Sequence, residues 1–191
     1  MPGPMRLLGK TTSVACALAL VAALAGCGSH GQGTKEPARE GLSLSLAGVD
    51  YNVFITRELN PQIPPDNAYY KGPLAKKGEA LYGVFLQACN NGKHSLPTAS
   101  HFTVRDNQGK EFHPTPLPAS DDFAYQPIRL DSHQCEPAAG SVAQLGPTAG
   151  SMLLFKLPLS NTYDRPLELE IKAPAEIAHP KPAKLTFTLD I

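Results

Sequence analysis

The sequence predicts an all-β protein, an antiparallel β-sandwich of about seven to nine strands, on three observations. Apolar and polar residues alternate with period two over several short stretches, proline or glycine punctuates nearly every interval between them, and no window of a dozen residues carries an apolar stripe at helical spacing. Alternation with that period turns one set of side chains toward a core and the other toward water, which is the pattern of a half-buried strand.

The first segment is not part of that pattern. Arg6 and Lys10 precede an unbroken run of apolar or small residues from Val14 to Ala25, followed by Leu24-Ala25-Gly26-Cys27. The run is shorter than the roughly 20 residues needed to cross a hydrocarbon core, so it reads as a signal peptide, residues 1–26, removed on export. Small residues at 25 and 26 suit peptidase access, and the Cys27 thiol is the side chain there able to take a diacylglyceryl group. The pattern resembles the bacterial lipobox. The resemblance implies lipidation at Cys27, further acylation such as palmitate, and residence on the extracytoplasmic side of a cell membrane, with the bilayer as a partner through acylated Cys27. Two or more acyl chains hold firmly, at about 0.8 kcal/mol per buried methylene.

Residues 28–40 lack hydrophobic periodicity and read, with Cys27, as a flexible tether over 27–40, leaving 41–191 as one sandwich domain. Treated as a coil, those thirteen residues span about 20 Å. Within the domain Val49, Tyr51, Val53 and Ile55 alternate with polar or outward positions, as do Leu167, Leu169 and Ile171, and then Leu185, Phe187, Leu189 and Ile191. Leu81–Cys89 and Met152–Leu157 are apolar on both faces or nearly so and read as central strands. Shorter strands are expected at 101–105, 110–113 and 123–130, with a tight turn at Asp106-Asn-Gln-Gly109. Residues 74–80 have room for one helical turn. Short strands at this spacing suit an immunoglobulin-like sandwich, although the tryptophan of antibody domains is missing.

Removing the leader leaves fifteen basic and seventeen acidic side chains, a balance that argues against nucleic acid as a partner. Cys89 and Cys135 are then the remaining cysteine pair besides Cys27. In an oxidising space they are expected to form a disulfide, and closing a loop of this length contributes about 4 kcal/mol in the chain-entropy picture. Two buried thiols, or a metal corner of His133 and Cys135, are the alternatives.

No pattern announces catalysis. Ser141 and Ser151 follow glycines, but neither sits in a Gly-x-Ser-x-Gly turn, so the expectation is no enzyme and no cofactor, with an envelope hydrolase as the lowest-ranked reading. His101, His113 and His133 would make a metal site if folding gathered them; solvated surface histidines are the default. The candidate recognition loop is Arg57, Asn60, Asp66, Tyr69 and Tyr70, which combines ionic groups, an amide and two aromatic rings with prolines that limit the entropy lost on binding. The competing account pairs Arg57 with a local acid and uses the tyrosines to cap the sandwich. Asp121-Asp122 lacks the spaced ligands of a calcium loop and reads as a solvated turn.

Gly78-Glu79-Ala-Leu-Tyr-Gly-Val-Phe-Leu, Asn90-Asn91-Gly92, Phe102-Thr-Val-Arg-Asp106 through Gly109, and Gly150-Ser-Met-Leu-Leu-Phe-Lys-Leu-Pro158 together resemble bacterial envelope lipoproteins of unknown function that carry an immunoglobulin-like domain. Their fold group includes the immunoprotective extracellular protein of mycobacteria. The resemblance covers residues 47–172 and implies a lipid-anchored sandwich acting as a non-catalytic binding module toward an unidentified envelope protein or ligand, with no active site to carry over. A metal-delivery lipoprotein is the alternative.

Overall fold

The computed structural model describes residues 37–191, so the leader, Cys27 and most of the expected tether lie outside it. Two sheets face one another. One is ordered β1 (Ala38–Arg39), β12 (Lys184–Leu189), β11 (Leu167–Lys172), β6 (His101–Arg105), β7 (Glu111–Phe112); the other runs β10 (Ser151–Pro158), β4 (Glu79–Cys89), β3 (Val49–Glu58), β2 (Ser43–Leu46). A short β9 (Cys135–Glu136) pairs with the end of β4, and β5 (Leu96–Pro97) pairs with β8 (Arg129–Leu130). Pairing is antiparallel throughout except for β1, which runs parallel to β12. Seven of these strands are longer than two residues and form the sandwich proper.

The core between the sheets is made by the alternating residues of each strand. Tyr51 and Val53 of β3, Tyr82, Val84 and Leu86 of β4, Phe155 of β10, Leu169 of β11 and Phe187 of β12 all enter it. The intervening residues of β4 and β10 are buried as well, in a second apolar cluster formed by Leu81, Phe85, Met152 and Leu154 with Leu59, Tyr69 and Phe123. Loops therefore cover the outer face of this sheet. That covering layer is why β4 and β10 read as apolar on both sides.

Several sequence expectations need correction. Ala38 and Arg39, placed in the tether, pair with Phe187 and Thr188, and Glu40 binds the amide and hydroxyl of Thr56. The sheet edge of β12 supplies backbone partners that local composition does not reveal. Segment 123–130 is not a continuous strand; Ala124 bridges Met152 and the chain then crosses, through Pro127, to form β8. The expected turn at 74–80 has no helix, while Asp66–Tyr69 forms α1. Finally, a bulge between Val53 and Ile55 reverses side-chain parity, so that Ile55 opposes Phe85 on the outer face and is 40% exposed.

Candidate functional site

The bulge in β3 also positions the candidate recognition loop. With parity reversed, Arg57 opposes Gly83 on the outer face and projects over the loop that carries α1. Gly83 leaves room there for its neighbours: a Cβ would come within 2.9–3.1 Å of side-chain atoms of Phe85, Met152 and Leu59, which would have to shift. The Arg57 guanidinium donates to Asp66 Oδ1 at 2.6 Å, and the Asn60 amide donates to Asp66 Oδ2 at 2.9 Å. Asp66 is 4% exposed, so both carboxylate oxygens are engaged in a largely dry setting. Asn60 Oδ1 accepts from the Gln62 amide, which fixes the turn that follows β3.

Tyr69 is 1% exposed and meets Phe85 and Phe123 edge-on, each at 4.9 Å between ring centroids. The Arg57 guanidinium lies 5.8 Å from the same ring. Tyr70 is also buried, which raises its phenol above the ordinary value, and its ring packs against Gly72. Both tyrosines and Asp66 thus hold the covering layer onto the sheet. Among the five candidate residues, Asn60 is exposed and Arg57 half-buried; the inward tyrosines correct the expectation of aromatic contacts offered to a partner.

Cys89 and Cys135 are joined, with their Cα atoms 4.1 Å apart in directly opposed positions of β4 and β9. Asn90, fully buried, continues the clamp: its side-chain amide donates to the carbonyls of His94, Leu130 and Asp131, and its backbone pairs with Gln134 and His133. This arrangement places His133 in the turn beyond Asn90. His101 and His113 sit elsewhere, on the outer face of the β6–β7 sheet, where His113 Nδ1 is 3.5 Å from the Thr103 hydroxyl. The three histidines do not converge, and no group of three His, Cys, Asp or Glu side chains suited to a metal ion occurs among the described residues.

The serines are engaged structurally. Ser141 caps α2 (Val142–Leu145) by accepting from the Gln144 amide, while Ser151 is 1% exposed and donates to Glu136 at 2.7 Å. Burial raises the Glu136 carboxyl above its usual range, against the opposing hydrogen bond from Ser151. Nearby, the backbone of Ala99 is held on both sides of its Cα: its N–H donates to Tyr51 Oη at 2.6 Å and its carbonyl accepts from Tyr125 Oη at 2.9 Å. Burial pushes the Tyr51 phenol up to about 12.

Tyr125 and Phe102 meet edge-on beneath a side cleft of about 290 Å³, which opens where β10 and β6 approach and is rimmed by Pro114, Pro116 and Pro127. The sequence offered those prolines as punctuation between strands. Their grouping depends on Thr115 bridging Leu154 and Ala124 bridging Met152, contacts far apart in sequence.

No protein-family profile matches the chain, and no curated protein does. Among solved structures, the chain is similar to the "putative lipoprotein (ycdA)" of Bacillus subtilis, at 16% identity and a TM-score of 0.48, covering 78% of this chain and 38% of that one. It is also similar to the yjhA protein of Bacillus subtilis, at 10% identity and a TM-score of 0.47 over 80% of this chain and 99% of that one. An uncharacterized β-sandwich protein from Clostridium difficile follows at 13% identity, with a TM-score of 0.45 over 83% and 99%. The chain therefore spans 38% of the length of ycdA.

Proposed function

We propose that this protein is a non-catalytic binding module of a bacterial cell envelope, held at a membrane surface through a lipid on Cys27. The observation that carries the reading is the use made of its ionisable and aromatic groups. Arg57, Asp66 and Tyr69 fasten one loop layer, Asn90 and the disulfide fasten another, and Ser151 and Glu136 satisfy each other below the surface. Side chains committed in this way make loops rigid, which lowers the entropy lost when a partner binds. The lipobox supports the address, and the strand and turn motifs resemble envelope lipoproteins with immunoglobulin-like domains. No helix among the described residues is long and apolar enough to cross a membrane.

Two measurements test the reading. The Cys27→Ser protein is expected to leave membranes under a carbonate and high-salt wash that retains the parent; retention of both would remove the lipid anchor. The folded domain used as bait on native envelopes is expected to retain a component that the reduced, urea-unfolded chain does not. Covalent capture of a side chain by a hydrolase-directed activity probe would instead assign a reaction and overturn the non-catalytic assignment.

A further inference from the structure

Strand register gathers the loops at one end of the sandwich. Lys172 pairs with both His101 and Lys184, and Ala173 bonds Ala183 to begin the long loop between β11 and β12. Arg129 reaches across to Glu176 at 3.4 Å and to the Ser95 carbonyl at 3.2 Å, which brings in the loops that precede β6 and surround β8. Lys93 belongs to the same end, in the turn closed by the Asn90 amide and the His94 carbonyl. The exposed cations there are Lys93, Arg129, Lys172, Lys181 and Lys184.

The accompanying acids compensate them only in part. Asp131 and Glu176 are exposed on these loops, and Asp50 is bonded to Asn91. Glu170, the carboxylate nearest Lys172 and Lys184, lies beneath them at 6% side-chain exposure. Lys93 and Lys181 make no ion pair among the described residues. The other end, around the 106–110 hairpin and the 3-10 turn Leu159–Tyr163, presents Glu58, Glu79, Asp164 and Asp190 beside Lys76, Lys77, Lys110 and Arg165, so its charges balance in number.

The direction of β1 links the basic end to the membrane. Ala38 is opposite Phe187 and Arg39 opposite Thr188 in parallel register, so the chain comes to Ala38 from the Lys184 end of β12. Ten residues lie between Cys27 and Ala38, and in any conformation the eleven Cα steps from one to the other reach at most about 40 Å. A surface held this close to anionic headgroups experiences a high effective concentration of them, so weak attraction suffices to orient it.

We propose that this basic end docks on anionic phospholipid headgroups, laying the domain on the bilayer with the 106–110 hairpin directed outward. The inference rests on the envelope reading, including the lipid at Cys27 that brings this end to the surface, whereas the contact itself is made by the folded domain. It is therefore tested on the unlipidated chain from Gly28 onward, which contains every described element and the whole core, by sedimentation with vesicles at low salt. Vesicles of phosphatidylcholine mixed with phosphatidylglycerol are expected to retain it and vesicles of phosphatidylcholine alone to leave it in solution.

The double reversal Lys93→Glu and Lys181→Glu is expected to lower the partition coefficient by about tenfold or more, while Lys76→Glu and Lys77→Glu at the other end leave it within about twofold. Urea midpoints equal to the parent's verify that each variant is folded. Equal retention on both vesicle types, or an equal loss in the two double variants, would overturn the proposal. So would release by inorganic phosphate at an ionic strength where sodium chloride leaves the chain bound, since that result assigns the end to soluble phosphate. Intact-mass measurement at Cys27 decides the anchor independently.

Discussion

Gly150 illustrates how tightly single positions are constrained. A Cβ at this residue would lie 2.8 Å from the Leu86 amide nitrogen and 2.9 Å from its carbonyl oxygen, and backbone atoms cannot step aside as a flexible side chain can. Gly150→Ala is therefore expected to destabilise the fold by about 1–3 kcal/mol, measured as a lower urea midpoint at unchanged slope. Asp66 is constrained by charge. Removing it leaves the Arg57 guanidinium and the Asn60 amide without their acceptor in a half-buried setting, so Asp66→Ala should cost about 2–3 kcal/mol. Limited proteolysis should then cut first within 60–70; an unchanged cleavage pattern would mean that the aromatic packing of Tyr69 suffices to hold the loop.

At the scale of elements, β9 is the piece most dependent on a covalent bond. It is two residues long and pairs with the last residues of β4, where Cys89 faces Cys135. Replacing both cysteines by serine should lower stability by about 4 kcal/mol if the chain-entropy picture holds, with hydrogen exchange rising first in 131–136. Much of the element plan was legible. The alternation in β11 and β12 puts Leu169 and Phe187 inward as read from sequence, and the expected turn at 106–109 forms with Gly109 at a positive φ of +82°. The β3 bulge was not legible, because extrapolating the Val49, Tyr51, Val53 pattern carries Ile55 to the wrong face. Nor was the Ala47-Gly48 turn between β2 and β3, where both residues have positive φ and Ala47 is not a residue that advertises it.

For the whole molecule, pH sensitivity follows from carboxylates used to join distant strands. Burial would raise Glu170, but the Lys184 hydrogen bond and the charges of Lys184, Arg105 and Lys172 outweigh it and hold the carboxyl low. Asp106 is similar: burial opposes the amides of Lys110 and Gln108 and the Asn161 side chain, and the hydrogen bonds prevail. A carboxyl lowered on folding stabilises the fold above its unfolded pKa, near 4, and that contribution disappears as pH falls through the folded value. Urea midpoints should therefore fall below about pH 4.5, and the fall should be smaller in Glu170→Gln. Glu136 acts with the opposite sign because burial raises it. Its contribution worsens as pH rises through the folded value, so Glu136→Gln should be more stable than the parent at neutral pH, provided its amide still accepts from Ser151.

The sequence by itself determined the strand-rich class, the inward set of the alternating strands apart from the end of β3, the two cysteines available for pairing, and the expectation of a lipid at Cys27. These depend on local period, composition and elimination, all of which a linear chain displays. Tertiary structure alone decided that Tyr69 and Tyr70 face inward, that His133 stands apart from His101 and His113, and that Pro114 and Pro127 rim one cleft. Each of those outcomes depends on which loop covers which sheet face. Such choices come from long-range pairings such as Thr115 with Leu154, for which the intervening residues carry no local signal.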